Sequence, residues 1–381
     1  MRILQVIPSL GFGGAERLVL ELSKHLLKQG HEVKILIFIN EVAYTELADG
    51  LDVYVIPSRV FYSLFGKDVI SCNEFNMFVD AFKPDVIHSH LVEAELVSRQ
   101  NPRQGTIYLT HWHGCNPIAD KLKLSELLNA DRWRNLKQRR ILEKLYLQSN
   151  THFACISGFI EDYLKTAFSN IPSSRFHTIY NGVRLIPQSS DKTEDTPPTT
   201  IELVSLGRLA KFKKQYLLLD VIAELKNRGY DNIRLNFIGD GESRTELELK
   251  SKQLNLGQIV KFHGSIENPM SLLSTFHIMA HSTINEAFGL ALVEGMSCSL
   301  PVVAFRAGGV PEIIDDKISG YLVEPNDTLK FADAVEKLLV SDAQRIQMGA
   351  HAKKKAAQFT MDVFCQNTEN LYFELQNARP R

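Results

Sequence analysis

The chain has 381 residues, too many for one ordinary core, so two domains are expected. Hydrophobic residues make up 44% and charged residues 23%, the balance of a soluble globular protein. A net charge of −1 removes nucleic acid as an obvious partner, because no excess of positive charge is left to neutralise phosphates.

Five cysteines (Cys72, Cys115, Cys155, Cys298 and Cys365) are widely spaced and form no C-x-x-C. That argues against a disulfide framework and a thiolate zinc site, and fits a reducing, cytoplasmic location. No apolar run approaches the length of a membrane span. The apolar start carries Arg2 and Pro8 and then meets glycines. It reads as a strand entering a loop, not as a secretory signal.

In chain order, apolar runs at 3–7, 33–39, 53–56, 86–89, 107–110 and 153–156 read as strands. Amphipathic stretches such as 15–29 and 73–82 read as helices between them. This alternation implies a parallel sheet covered on both faces. The first strand runs into Gly11-Phe12-Gly13-Gly14. Such glycines suit either a plain tight turn or a close approach of backbone to an anionic group at a helix start. The dinucleotide fingerprint fails here, since Glu16 stands where a glycine is needed. It fails again at Gly239-Asp240-Gly241, where Arg244 takes the third position.

His88 with His90, and His111 with His113, form two H-x-H pairs at strand ends. Alternate strand residues share a face, as zinc ligands would, but nothing else supplies a matching set, so no metal is expected. Residues 121–144 carry eight Lys and Arg with Trp133, against Glu126, Asp131 and Glu143. Two readings stay open: a solvated helix, or a helix that docks peripherally on anionic membrane. Residues 187–200, PQSSDKTEDTPPTT, have no large apolar side chain to bury. They mark a linker at 185–200 between an N-terminal domain, 1–184, and a C-terminal domain, 201–358.

The alternation then restarts, with strands at 203–206, 235–238, 260–262, 278–280 and 302–305. Helices are expected at 215–227, 243–254, 290–297 and 329–339, and a last one from 361 to about 376. The fold class is therefore α/β, with two doubly wound Rossmann-like domains in tandem and ligand at the carboxyl ends of the strands. Arg208 and Lys213 follow the first strand of the second half. They suit a diphosphate, although with Lys211 and Lys214 they also read as a solvated basic patch. Glu286 falls on a loop and Glu294 in the first turns of the helix after it. Carboxylates accept well from sugar hydroxyls, and the amides of Phe288, Gly289 and Leu290 point from the helix start. The plainer reading is a charge at a helix start and a surface residue.

Together these motifs resemble glycosyltransferase family 4, a large group of retaining transferases with the GT-B fold. The match runs nearly the whole chain. It includes Gly13-Gly14-Ala15-Glu16, Val86-Ile87-His88-Ser89-His90, His113-Gly114, Asn181-Gly182-Val183, Gly207-Arg208-Leu209 with Lys213, and Glu286 with Glu294. It continues through Pro301-Val302-Val303-Ala304, Gly308-Gly309 and Glu312-Ile313-Ile314. The resemblance implies two domains facing a cleft, with the last helix, about 360–381, crossing back onto the first domain. It implies transfer of a hexose-type sugar from a nucleotide-diphosphate sugar to a glycan or lipid-linked acceptor, reached from the cytoplasm or the inner membrane face. Glu286 would hold donor hydroxyls and Glu294 the ribose. Arg208 and Lys213 would neutralise the leaving diphosphate. The amides of Gly13, Gly14, Phe288, Gly289 and Leu290 would complete the cradle, and His113 would lie beside the donor sugar. Two departures stand out: Gly295 where the family usually has Ala, and Ser299 where Gly is common. The chain has no Asp-x-Asp metal clamp, so no cofactor is expected. The competing classes are a phosphorylase or epimerase on the same fold, and a non-catalytic nucleotide-binding regulator.

Overall fold

The computed structural model describes residues 1–58, 60–61, 69–120, 129–184 and 198–378. Residues 121–128 of the basic stretch and 185–197 of the expected linker lie outside the described residues. The chain divides into two compact units: Met1–Gly182 with Asp362–Arg381, and Val183–Met361.

The first unit is built on strands β1 (Arg2–Ile7), β2 (Glu32–Ile37) and β3 (Asp52–Val55), with a short antiparallel ribbon of β4 (Val60–Phe61) and β5 (Val69–Ile70). β6 (Val86–His90), β7 (Ile107–Trp112), β8 (His152–Cys155) and β9 (Phe176–Thr178) complete it. The sheet order is β3-β2-β1-β6-β7-β8-β9, and every pairing is parallel. Its helices are α1 (Gly14–Lys28), α2 (Thr45–Ala48), α3 (Asn73–Phe82), α4 (Val92–Ser98), α5 (Ala130–Gln148) and α6 (Gly158–Ala167). Alternation sends Leu4, Val6 and Leu36 into one core with Phe75 and Val79 of α3. Ile7, Ile35 and Ile37 enter the other, with Val19 and Leu20 of α1. Two covered faces are why these strands read as continuous apolar runs.

The second unit has strands β10 (Ile201–Leu206), β11 (Ile233–Ile238), β12 (Val260–Phe262), β13 (Ile278–His281), β14 (Val302–Phe305) and β15 (Gly320–Val323). Their order is β12-β11-β10-β13-β14-β15, again all parallel. Its helices are α7 (Tyr216–Asn227), α8 (Arg244–Gln253), α9 (Met270–Leu273), α10 (Leu290–Ser297), α11 (Val310–Ile313), α12 (Thr328–Leu339) and α13 (Asp342–Ala356). The last helix, α14 (Met361–Asn377), belongs from Asp362 onward to the first unit. There Glu369 receives His25 at 3.4 Å and His31 at 2.8 Å.

The strands expected from sequence form. β4, β5, β9 and β15 are additions, as are α9, α11 and α13 among the helices of the second unit. β15 is a four-residue stretch opened by Gly320, and α13 carries only a thin apolar stripe of Met348, Ala352 and Ala356. The two unusual residues near α10 fit their places. Ser299 adopts the left-handed φ of 60° that explains a preference for glycine there. Gly295 lies against Met279, whose Sδ would be 3.1 Å from any added Cβ. No helix among the described residues is long and apolar enough to cross a membrane.

Candidate active site

In a doubly wound sheet, ligands bind beyond the carboxyl ends of the strands where the strand order reverses. In the second unit that point lies between β10 and β13, which pair at Leu203–Ile278 and Val204–Met279. The segment after β10 carries Arg208 and Lys213, and the segment after β13 carries Glu286. The topology therefore brings Lys213 and Glu286 to one place.

A single 3-10 turn, Lys211–Lys213, sets Lys213. Ser282 Oγ donates to its carbonyl at 2.9 Å and ties the two segments together. Lys213 Nζ donates to Glu286 Oε2 at 2.7 Å. His281, the last residue of β13, places Nε2 at 3.1 Å from the same oxygen. Glu286 is mostly buried, with 14% of its side chain exposed. Burial pushes its carboxyl up, but the hydrogen bonds and charges of His281 and Lys213 outweigh that and hold it at about 2.

The Glu286 backbone is fixed as firmly. Gly309 N donates to its carbonyl at 2.8 Å. Gly308 sits at φ 58°, and a Cβ there would overlap the same carbonyl oxygen. Gly308→Ala is therefore expected to cost about 1–3 kcal/mol through backbone strain alone, with displacement of the Glu286 loop added to it. A thermal melt together with a nucleotide-sugar titration checks this. An unchanged melt and unchanged binding would show that the loop has slack.

The other expected residues take these positions. Gly289 adopts φ 110° as the residue before α10, so the first amides of Leu290 and its neighbours have no acceptor within the helix. Phe288 is buried against Phe359, with ring centroids 5.6 Å apart. Glu294 lies half-buried on α10. Arg208 is 68% exposed and turns to Glu242 Oε2 at 3.0 Å, not to Glu286. Gly239 and Gly241 serve a tight turn, since a Cβ on either would overlap the carbonyl of Gly207 or Leu209.

In the first unit the order reverses between β1 and β6. Gly13 and Gly14 follow β1 at the start of α1. A Cβ on Gly13 would meet the carboxylate of Glu16, which lies over the helix end. His88, His90, His111 and His113 form a column along the ends of β6 and β7. His111 and His113 stack at 4.6 Å and 14°, and His90 and His111 at 5.5 Å and 18°. Gln5 Oε1 accepts from His90 Nε2 at 2.9 Å, so His90 Nδ1 accepts from His113 Nε2 at 3.0 Å. Tyr372 of α14 donates to His88 Nδ1 at 2.6 Å. Burial holds His113 at about 4 and the other three well below the ordinary range, so the column is neutral. Ligand atoms of His88, His90 and His111 come within 4.8 Å of one another. Their ring planes are inclined to one another by 18° to 37°.

Sequence reading passed over His281, whose signal was an imidazole five residues before Glu286. It also noted Gly308-Gly309 without its bracing role.

Two parallel sheets of Rossmann-like type, one with a charged carboxylate site at its switch point, define the class of molecule. The Glycosyltransferase Family 4 model matches residues 12–185, and the Glycosyl transferases group 1 model matches 188–355. The chain belongs to this family of glycosyltransferases. D-inositol 3-phosphate glycosyltransferase of Corynebacterium jeikeium is 31% identical over 224 residues, which cover 52% of this chain and 53% of that protein. The chain thus spans about half the length of the first curated relatives it matches. N-acetyl-alpha-D-glucosaminyl L-malate synthase of Bacillus anthracis is 23% identical over 382 residues, covering 95% of this chain and 94% of that protein. Among solved structures, Anabaena HepE in complex with UDP-glucose superposes with a TM-score of 0.72. It is 20% identical and covers 97% of this chain and 99% of its own, which shows the GT-B fold.

Proposed function

We propose that this protein moves a hexose-type sugar from a nucleotide-diphosphate sugar to a glycan or lipid-linked acceptor, with retention at the anomeric carbon and without a resident metal. The observation that carries the reading is the Lys213–Glu286 pair at the switch point of the second sheet. Glu286 Oε2 is taken by Lys213 and His281, which leaves Oε1 without a protein donor among the described residues, as a grip on sugar hydroxyls requires. Lys213 supplies positive charge where a leaving diphosphate needs it. Arg208, free to swing from its exposed pairing with Glu242, would add a second cation. The opening amides of α10 would take phosphate oxygens, and Glu294 the ribose.

In this reaction the bond from the anomeric carbon to the diphosphate oxygen breaks, and a bond to the acceptor oxygen forms on the same face. The acceptor proton leaves with the diphosphate. Printed names support the two classes: one solved neighbour holds UDP-glucose, and one relative is a phosphatidylinositol N-acetylglucosaminyltransferase subunit, named for a lipid acceptor. A cytoplasmic enzyme with its basic helix α5 near the inner membrane face would suit a lipid-linked acceptor.

The test is a calorimetric panel of UDP, GDP and ADP with their glucose and N-acetylglucosamine conjugates. Turnover is then measured against soluble acceptors and against acceptors in anionic vesicles, each with excess chelator. One nucleotide-sugar should bind and turn over in chelator, giving a product of unchanged anomeric configuration. Binding without turnover would favour a regulator. Inverted product, or activity lost in chelator and restored by a divalent ion, would overturn the corresponding part of the reading.

A further inference from the structure

We propose that His281 is a positioning residue that turns Glu286 so that Oε1, and not Oε2, meets the hydroxyls of the transferred sugar; the inference rests on the sugar-gripping role proposed for Glu286 above. A carboxylate offers about four lone-pair directions, two on each oxygen. Both protein donors reach the same oxygen: Lys213 Nζ at 2.7 Å and His281 Nε2 at 3.1 Å from Oε2. Among the described residues, none donates to Oε1.

The two donors are not equivalent. Lys213 carries its charge on a flexible stem and can follow the carboxylate if it rotates. His281 cannot. Its backbone is paired in the sheet opposite Ala304, and its side chain is 4% exposed. Glu286 is also held from behind, by Gly309 N on its carbonyl and by the close approach of Gly308. With the backbone fixed and one oxygen bound to an immobile ring, the direction of the other oxygen follows. His281 must carry a proton on Nε2 for this bond. A hydrophobic ring of similar size would fill the space and leave the carboxylate free to present either oxygen.

His281→Phe and His281→Gln test the assignment. Gln returns an N–H donor near the place of Nε2, and Phe returns only bulk. Calorimetry with UDP and UDP-glucose, or the GDP or ADP pair that the wild type prefers, gives the readout. In His281→Phe the Kd and KM for the nucleotide-sugar should rise about 10- to 100-fold, the effect of one lost hydrogen bond to a charged group. The Kd for the bare nucleotide should not move, and His281→Gln should recover most of the loss. Unchanged nucleotide-sugar binding in His281→Phe, beside a clear loss in Glu286→Ala, would overturn the proposal. So would equal losses for nucleotide and nucleotide-sugar, which would mark His281 as packing only. If Glu286→Ala itself left sugar-dependent binding intact, the functional reading would fail first, and visibly so. Should His281→Phe not fold, a wild-type crystal structure with the nucleotide-sugar decides: hydroxyls on Oε2 would refute the assignment.

Discussion

Glu286→Ala is expected to lower kcat/KM by about 10²- to 10⁴-fold while the protein stays folded, because it removes the acceptor of sugar hydroxyls and strands two donors built around it. Lys213 and His281 both end on Glu286 Oε2, so the substitution also leaves a cation without its partner at the place where a diphosphate would bind. Affinity for a bare nucleotide should therefore hold or rise, while affinity for the nucleotide-sugar falls. Glu286→Gln should do little better. Its amide would present N–H groups to two donors, or would have to turn its only carbonyl oxygen toward them and away from the sugar. Steady-state kinetics and paired titrations read both effects. Equal losses for nucleotide and nucleotide-sugar would show that Glu286 shapes the phosphate site instead.

The same carboxyl gives a stability signature. Its folded value of about 2 lies below its ordinary 4.5. A depressed carboxyl contributes stability that is fully present above 4.5 and is lost as pH falls toward 2. The melting-temperature gap between wild type and Glu286→Gln should shrink across that window and stay level from pH 5 to 8. A gap that changed only near neutrality would show that the Glu286 carboxyl is not what carries it.

Lys213→Ala is the second large effect. It should cut kcat by about 10²- to 10³-fold, the scale for losing one preorganised group that stabilises developing negative charge. Unlike Glu286→Ala, it should weaken bare nucleotide and nucleotide-sugar together, because the diphosphate is common to both. Lys213→Arg should recover only part, since the 3-10 turn aims a point charge at Glu286 Oε2 and a planar fork does not fit the same approach. An Ala variant that loses kcat but binds both ligands normally would place Lys213 on the transition state alone. Unchanged kinetics would remove it from the site.

Much of this was legible in the residues. Each β10-type apolar run, bounded by Gly or polar residues, announces a strand buried on both faces, and the alternation with helices leaves a parallel sheet as the stable arrangement. The spacing of Glu286 and Glu294 around Phe288-Gly289 located a loop and a helix start, and the structure has both, with Gly289 at φ 110°. What spacing could not show is pairing across long separations. Lys213 and Glu286 are 73 residues apart, and only the order β12-β11-β10-β13-β14-β15 makes their strands neighbours. Likewise, nothing near Gly308 in the chain predicts that it must lack a side chain; the carbonyl of Glu286 does.

Local sequence therefore determined the elements and the chemical types at their ends, because hydrophobic period and glycine conformation act over a few residues. Tertiary structure decided the rest: that Lys213 and His281 share one oxygen of Glu286, that Arg208 turns to Glu242, and that four histidines gather in one column. These depend on strand order and on the direction of individual side chains, which only the packed sheets set.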